Sequence, residues 1–230
     1  MNDYLVFRLS APMGSFGSFS GHERRSTDNF PLRSAILGIL GAALGIERSD
    51  LNSQNKLLDY HVAIFTKSLG STFRDFHTIQ SIPSTIKKPN SRRSAIESIG
   101  NGIKTSITKR DYFTEIDLLI SIWSFNGHWT LNDLVQSLKN PKFFLYVGRK
   151  SCPLAAPMNP RIVKASDPVE SFDEVLVKEE ELPSGVFPIV SDPFPEGEPD
   201  RREIVPSEPI DRGRWHFEQK ERWYFDRKNK

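Results

Sequence analysis

The sequence predicts an α+β fold in which four strands and two helices follow one another in the order βαββαβ. Three observations lead to this prediction: short runs rich in β-branched and aromatic residues, two segments with helical periodicity, and a basic stretch where a hairpin would join the second and third strands. This order is that of a ferredoxin-like (RRM-like) domain. We expect the body to span 1–73 and 114–152, with an insertion at 74–113 and a β-rich C-terminal extension at 153–230.

The first half of the chain alternates strand, helix and strand. Residues 4–9 are rich in β-forming side chains and predict the first strand, and a Ser/Gly-rich loop follows over 10–30. A helix is expected from about residue 33 to residue 45, directly after a proline. A short helix within 47–59 and a second strand at 62–65 complete this half.

The second half repeats the pattern with a different helix signal. An apolar run at 116–125 predicts the third strand. Thr130 is placed to cap a helix over 131–138, with Asp133 at the third helical position. The aromatic run at 143–147 predicts the fourth strand.

Charge is distributed unevenly, although the net charge is only +2. Between residues 74 and 113 there are eight Lys/Arg and three Asp/Glu, a local net of +5, whereas 170–209 holds three Lys/Arg and twelve Asp/Glu, a local net of −9. Prolines and Ser/Asn clusters predict that the basic insertion is irregular. The asymmetry indicates either a middle segment that meets an anion such as nucleic acid, or two solvated surfaces of opposite sign.

Composition excludes several classes of protein. The single cysteine, Cys152, rules out an internal disulfide framework and fits a reducing compartment, and five scattered histidines without a CxxC pair argue against a zinc cluster. No apolar run approaches the ~20 residues needed to cross a bilayer, and the first residues lack the basic flank of a secretory signal. We therefore expect a cytoplasmic protein without metal, cofactor or membrane contact.

Beyond Cys152 the chain becomes rich in proline, which favours loops and short edge strands over a second large core. Trp215, Phe217, Trp223 and Phe225 share parity and predict a terminal strand or hairpin. An amphipathic helix is the weaker alternative there.

The helix after Pro31 has an apolar face and, opposite it, a stripe of small residues formed by Ser34, Gly38, Gly41 and Gly45. The apolar face should pack on the sheet. The stripe would let another backbone approach, either the C-terminal half of this chain or a protein or RNA partner. Arg33 and Ser34 lie in the first turn, where free N–H groups favour a phosphate.

A second cluster of candidate residues lies at 146–153. Tyr146 offers a ring on which a base can stack, Gly148 gives flexibility, and Arg149, Lys150 and Ser151 suit phosphate groups. A surface turn with two solvated cations is the alternative. No motif supplies a base for the neighbouring cysteine, which we interpret as structural.

These residues also carry a resemblance to a known family. Residues 31–46 resemble the hallmark first helix of the CasD-type subunits of type I-E CRISPR Cascade complexes. Segments 4–13, 75–78 and 146–154 are similar to that family's motifs, in the same order and spacing, and 165–168 extends the match.

The resemblance implies an RNA-binding fold with an inserted thumb, to which 74–113 corresponds. In such proteins the body and thumb grip the 5′ handle of the CRISPR guide RNA. The thumb also contacts the backbone (CasC-type) subunit, and the protein helps to seat the large (CasA-type) subunit, so that target DNA is engaged through the complex. Arg110 matches a thumb arginine at the handle, and Tyr146 matches the aromatic residue that meets a handle base.

The candidate RNA-binding set joins these two residues to others chosen on physical grounds from the insertion, the first helix and the 146–153 loop. Its members are Arg110, Tyr146, Arg33, Ser34, Arg149, Lys150, Ser151, His77, Arg92 and Arg93. Two alternatives to a non-catalytic RNA-binding subunit stay open. One is a metal-independent endoribonuclease using His22, His77 or Lys150, although no constellation is recognisable. The other is a protein–protein scaffold without direct RNA contact.

Overall fold

The computed structural model describes residues 1–17, 23–82, 91–176, 187–211, 214 and 216–226. The helices in these ranges are α1 (Arg33–Leu44), α2 (Leu51–Lys56), α3 (Arg92–Ile99), α4 (Leu131–Lys139) and α5 (Glu170–Leu176). The strands are β1 (Asn2–Gly14), β2 (Arg24–Arg25), β3 (His61–Ser68), β4 (Thr72–Ser81), β5 (Lys104–Trp123), β6 (Arg161–Ala165), β7 (Ile189–Ser191), β8 (Arg201–Asp211) and β9 (His216–Phe225). All of these strands belong to one sheet.

Four central strands have the predicted ferredoxin-like arrangement. In space they follow the order β6, β1, β5, β3, and each neighbouring pair is antiparallel. α1 lies between β1 and β3 in the chain, and α4 lies between β5 and β6. The resulting order is βαββαβ, so the α+β, ferredoxin-like prediction is confirmed.

Both faces of this sheet are covered by helices. Alternate side chains of a strand point to opposite faces, so Phe7 shares one buried core with Leu40 of α1 and Leu134 of α4. Its neighbour Val6 belongs to a second core, with Phe172 of α5. RNA-recognition domains stack bases on an open sheet face. In this chain helices cover both faces of the sheet. A binding site for RNA would therefore lie at the projecting strand ends and loops.

The fourth strand differs from the prediction. The strand beside β1 is β6, whereas the described backbone at 143–147 contributes only an isolated bridge between Tyr146 and Pro153. The amides of Lys142 and Phe143 bond to the last carbonyls of α1 (3.0 and 3.1 Å). The aromatic run therefore closes the end of α1 as a loop, and the prediction of a strand there is wrong.

The basic insertion is also more regular than its composition predicts. β4 pairs antiparallel with the first half of β5, from Thr72 opposite Phe113 to Ser81 opposite Lys104, and α3 lies near the tip. β5 continues without interruption from this hairpin into the body. The expectation of an irregular segment is wrong because cross-strand partners, which no local pattern displays, satisfy its polar backbone.

The C-terminal extension continues the sheet beyond β3 through β7, β9 and β8. β8 and β9 form the predicted terminal hairpin, while Trp215 lies outside the described residues. Within the part of the chain that the structure describes, no helix has the length and apolar character to cross a membrane.

The predicted helices agree with the structure in detail. α1 ends at Gly45, whose φ of 78° is the left-handed C-cap conformation that favours glycine. A Cβ on Gly41 would lie 3.0 Å from Leu57 Cδ1, so this part of the small stripe serves packing within the chain. Thr130 and Asp133 form the reciprocal capping box of α4, and the hydrogen bonds from Thr130 lower the pKa of Asp133.

Candidate nucleic-acid interface

The candidate site lies on the hairpin formed by β4 and the first half of β5, which we call the thumb hairpin. This hairpin has two faces. Thr108, Arg110 and Tyr112 alternate along β5 and therefore share one face, on which the opposite β4 strand places Phe73, Asp75 and His77. The rings of Phe73 and Tyr112 confirm this pairing, with centroids 6.3 Å apart. We call this surface, defined by residues 73, 75, 77, 108, 110 and 112, the thumb-base face.

On the opposite face of the hairpin, the cations contact other side chains of the protein. Asp111 accepts hydrogen bonds from Arg74 (2.7 Å) and Arg24 (2.9 Å). The hydrogen bond from Arg74 is the main cause of the lowered pKa of Asp111. Lys109 lies over the ring of Phe76, 5.9 Å from its centroid. The cations on this side are therefore engaged by the protein itself.

Arg110, on the thumb-base face, has no such counter-ion among the residues that the structure describes. Its Nε atom is buried and has no hydrogen-bond partner among the described residues. Asp75 lies directly across the strand pair, but the carboxylate of Asp75 contacts the Nε2 atom of His77 at 2.5 Å. A half-buried guanidinium without an anionic partner is costly in free energy.

The loop at 146–153 is fixed against the end of β1. Gly148 has φ of 79°, and a Cβ there would lie 1.6 Å from the carbonyl oxygen of Ser15. The amide of Ser15 donates to the carbonyl of Val147 (3.2 Å), and the amide of Val147 donates to that of Cys152 (2.9 Å). Only glycine fits this close approach, and it sets the position of the residues on either side.

This loop meets the thumb-base face through Arg149. Its guanidinium carbon lies over the ring of Tyr112, 4.4 Å from the centroid, and its Nη2 donates to the carbonyl of Arg25 (3.2 Å). Its Nη1 is buried without a partner in the described ranges. Lys150 and Ser151 are exposed on the same loop. The structure thus brings two predicted arginines to one surface.

Tyr146 precedes this arginine and is the aromatic group of the loop. Its side chain is exposed (38%) and its backbone bridges to Pro153. Cys152 is buried, and burial raises its pKa, which fits the structural interpretation.

Arg33 and Ser34 are separate from this surface, and both are buried. Arg33 donates from Nε to Asp192 (2.9 Å) and from Nη1 to Glu208 (3.0 Å), while its Nη2 donates to the carbonyls of Leu58 and Tyr60. With its guanidinium enclosed by protein acceptors, Arg33 holds the C-terminal extension to α1. The assignment of Arg33 to phosphate is corrected accordingly, whereas that of Ser34 stays a prediction.

Arg92 and Arg93 lie near the tip of the thumb. Arg92 donates to the carbonyl of Gln80 (3.2 Å), and Arg93 forms an exposed ion pair with Glu97 (2.8 Å). Asp75 lies opposite Arg110, and Ser81 is six residues, or about 20 Å, further along β4. The tip and the thumb-base face are therefore distinct surfaces.

The described residues contain no cluster of three or more His, Cys, Asp or Glu side chains able to hold a metal ion. His77 lies beside Asp75 on the thumb-base face, and His22 lies outside the described residues. Sequence reasoning missed Arg25 and Tyr112, two residues that contact the guanidinium of Arg149. Their contacts join segments distant in the chain, so no local motif could reveal them.

Fold and site together define an α+β protein with a basic hairpin and a cation-bearing loop beside it. The family described as CRISPR-associated protein (Cas_Cas5) matches residues 4–222. The chain therefore belongs to the Cas5 family of CRISPR-associated proteins, and the resemblance to CasD-type subunits is confirmed.

Individual relatives agree with this assignment. The chain is similar to the CRISPR system Cascade subunit CasD of Escherichia coli (strain K12), with 30% identity over 183 residues, 75% of this chain and 76% of the relative. A chain of a CRISPR RNA-guided surveillance complex has the same fold, with a TM-score of 0.67, 18% identity and coverage of 97% and 89%. The crystal structure of a Cas protein gives a TM-score of 0.56, 19% identity and coverage of 97% and 93%.

Proposed function

We propose that this chain is the non-catalytic RNA-binding subunit of a Cascade complex, and that it grips the 5′ handle of the CRISPR RNA. The observation that supports this most directly is that Arg110 and Arg149 lie at the same surface. Each has a buried guanidinium nitrogen without a partner in the described part of the protein. Phosphate groups of an RNA strand would supply the missing negative charge.

The surrounding side chains suit a single-stranded segment. Sequence-selective RNA recognition targets unpaired bases that stack on aromatic rings, and Tyr146 exposes its ring beside the cations of the loop. Lys150 and Ser151 are exposed next to Arg149 and add a charge and a hydroxyl for the RNA backbone. His77 lies on the thumb-base face and completes the proposed contact surface.

The tip of the thumb has a second role in this proposal. Arg92 contacts the carbonyl of Gln80, which lies five residue steps, or about 17 Å, along β4 from the level of Arg110. Arg92 and its neighbour Arg93 therefore meet either a neighbouring length of RNA or the CasC-type backbone subunit. The body would adjoin the CasA-type large subunit, and target DNA would be engaged through the assembled complex. Membership of the Cas5 family and the similarity to a Cascade CasD support these partners.

Binding of handle RNA to the full chain tests the proposal against a pure scaffold. Fluorescence anisotropy over a range of salt concentrations should give a steep fall in affinity, because each neutralised phosphate of a single strand contributes about 0.7 to the slope of log K against log salt. A scaffold without RNA contact would give weak binding with almost no slope.

Replacing Tyr146 or Arg110 with alanine should weaken handle binding while the thermal unfolding curve stays close to that of the unchanged chain. Stacking of one base is worth about 1–3 kcal/mol, so Tyr146→Ala should lower the affinity by at least about fivefold. Phe144→Ala is the matched control, since Phe144 is also an exposed aromatic residue (62%) near this loop. Unchanged affinity in Tyr146→Ala would remove Tyr146 from the site.

Incubation of the purified chain with CRISPR repeat RNA should leave the RNA intact. Cleavage by attack of a ribose 2′-OH needs a general base and a general acid, and His77, which contacts Asp75 on the thumb-base face, is the residue whose part in such a step is tested. Denaturing gel electrophoresis is the measurement. Specific cleavage that disappears in His77→Ala would establish the endoribonuclease instead.

A further inference from the structure

β2 brings a third arginine to the thumb-base face. Arg24 and Arg25 pair in parallel with Lys109 and Arg110, so Arg25 shares the face of Arg110 while Arg24 shares that of Asp111. The hydrogen bond from Arg24 to Asp111 confirms this alternation. Arg25 is exposed, and its carbonyl holds the guanidinium of Arg149.

We propose that Arg25, Arg110 and Arg149 form a seat for one backbone phosphate of the bound RNA. This rests on the proposed function and adds Arg25 to the two arginines already assigned to the RNA. Arg25 is the β2 partner of Arg110, and its carbonyl accepts the hydrogen bond from Arg149. A phosphate offers oxygen acceptors to several donors at once, as this group of side chains requires.

The charges around the seat favour an anion. The acid nearest in the strand pairing, Asp75, is engaged by His77, and the other acid of the hairpin base, Asp111, is engaged by Arg24 and Arg74 on the opposite face. The three arginines of the seat outnumber the single carboxylate of Asp75, so the seat keeps an excess of positive charge. An anion between the arginines would offset their partial desolvation.

Tyr112 is a positioning residue for this seat. Its ring is buried (4%) and lies under the guanidinium of Arg149. This contact and the hydrogen bond to the carbonyl of Arg25 restrict the conformations of Arg149 before RNA arrives. Less side-chain entropy is then lost on binding.

Two neighbouring arginines of β2 provide the test. Arg25→Gln should lower the affinity of the full chain for handle RNA by about tenfold and reduce the salt slope by about 0.7. Arg24→Gln removes the same charge one residue away, on the opposite face, where Arg24 is paired with Asp111, and should leave both quantities nearly unchanged. Equal behaviour of the two variants would overturn the seat.

A single neutral methylphosphonate linkage, moved along the handle RNA, distinguishes a phosphate from other ligands. At one position, this linkage should weaken binding to the unchanged chain about as much as Arg25→Gln does. In the Arg25→Gln variant, the linkage at that position should cause little further loss of affinity. If the linkage causes the same loss of affinity at every position in both proteins, Arg25 does not contact a backbone phosphate and the phosphate seat is wrong. If Arg110→Ala weakens binding but Arg25→Gln does not, the seat fails while the proposed function stands.

Substitutions at Tyr112 separate positioning from fold stability. Tyr112→Phe keeps the ring under Arg149 and should preserve the affinity, whereas Tyr112→Leu should lower it about as much as Arg149→Gln. The double variant Tyr112→Leu with Arg149→Gln should bind no more weakly than Arg149→Gln alone. Additive losses in that double variant would contradict the positioning role.

Discussion

Replacing Arg33 with alanine should lower the free energy of unfolding by about 3–5 kcal/mol, the usual effect of removing one partner of a buried ion pair. The guanidinium of Arg33 bonds to Asp192, Glu208 and the carbonyl groups of Leu58 and Tyr60. Alanine would leave all four acceptors without this donor. Chemical denaturation monitored by tryptophan fluorescence measures the loss.

The matched control is Arg8→Ala. Arg8 also makes a two-pronged ion pair, with Asp117 at 2.7 and 2.8 Å, but its side chain is 39% exposed, so water replaces the lost partner. Its substitution should cost much less stability. Equal losses in the two variants would contradict a special role for the buried pair.

The loss in Arg33→Ala should depend on pH. Burial raises the pKa of Asp192 to about 6 even though Arg33 acts to lower it. Because the folded-state pKa lies above the usual 3.8, this carboxyl group favours folding most at low pH, and its contribution declines as pH rises from about 4 to about 6. At pH 5 Asp192 is mostly protonated, so Arg33→Ala should be less destabilising there than at pH 8.

Most of the body could be predicted because its signals are local. Helical periodicity, the proline before α1 and the capping pair Thr130 and Asp133 indicated both main helices within a residue or two. The choice of the fourth strand depended instead on tertiary competition. Residues 143–147 have the more apolar sequence, but β6, with Arg161 and Lys164, occupies the edge beside β1.

The candidate site, too, could be predicted only as far as local sequence signals reach. Residue type and resemblance predict Arg110, Tyr146 and Arg149 as RNA-binding residues, and the structure places Arg110 and Arg149 at one surface. Arg33 was misassigned because a first-turn arginine fits a phosphate as well as it fits a carboxylate. Its partners Asp192 and Glu208 are 159 and 175 residues away in the chain. Local charge patterns cannot show that such a cation is already neutralised.

Alanine at Gly148 should reduce handle binding at least as much as loss of Tyr146. The added Cβ would lie 1.6 Å from the carbonyl oxygen of Ser15, and the backbone there has φ of 79°. The loop must therefore move away from the end of β1. Since Tyr146 and Arg149 lie on either side, both the stacking ring and the phosphate contact would be displaced, and we expect at least about a tenfold loss of affinity.

Gly17→Ala separates the two causes of that loss. Gly17 has a similar φ of 71°, but no atom of the described residues lies within 4 Å of a Cβ built there. This control carries the cost of a left-handed alanine, about 1–2 kcal/mol, without the collision. Anisotropy measurements should show near-normal binding in Gly17→Ala and a large loss in Gly148→Ala. Equal affinities would mean that the contact between Gly148 and Ser15 does not hold the RNA-binding loop in place.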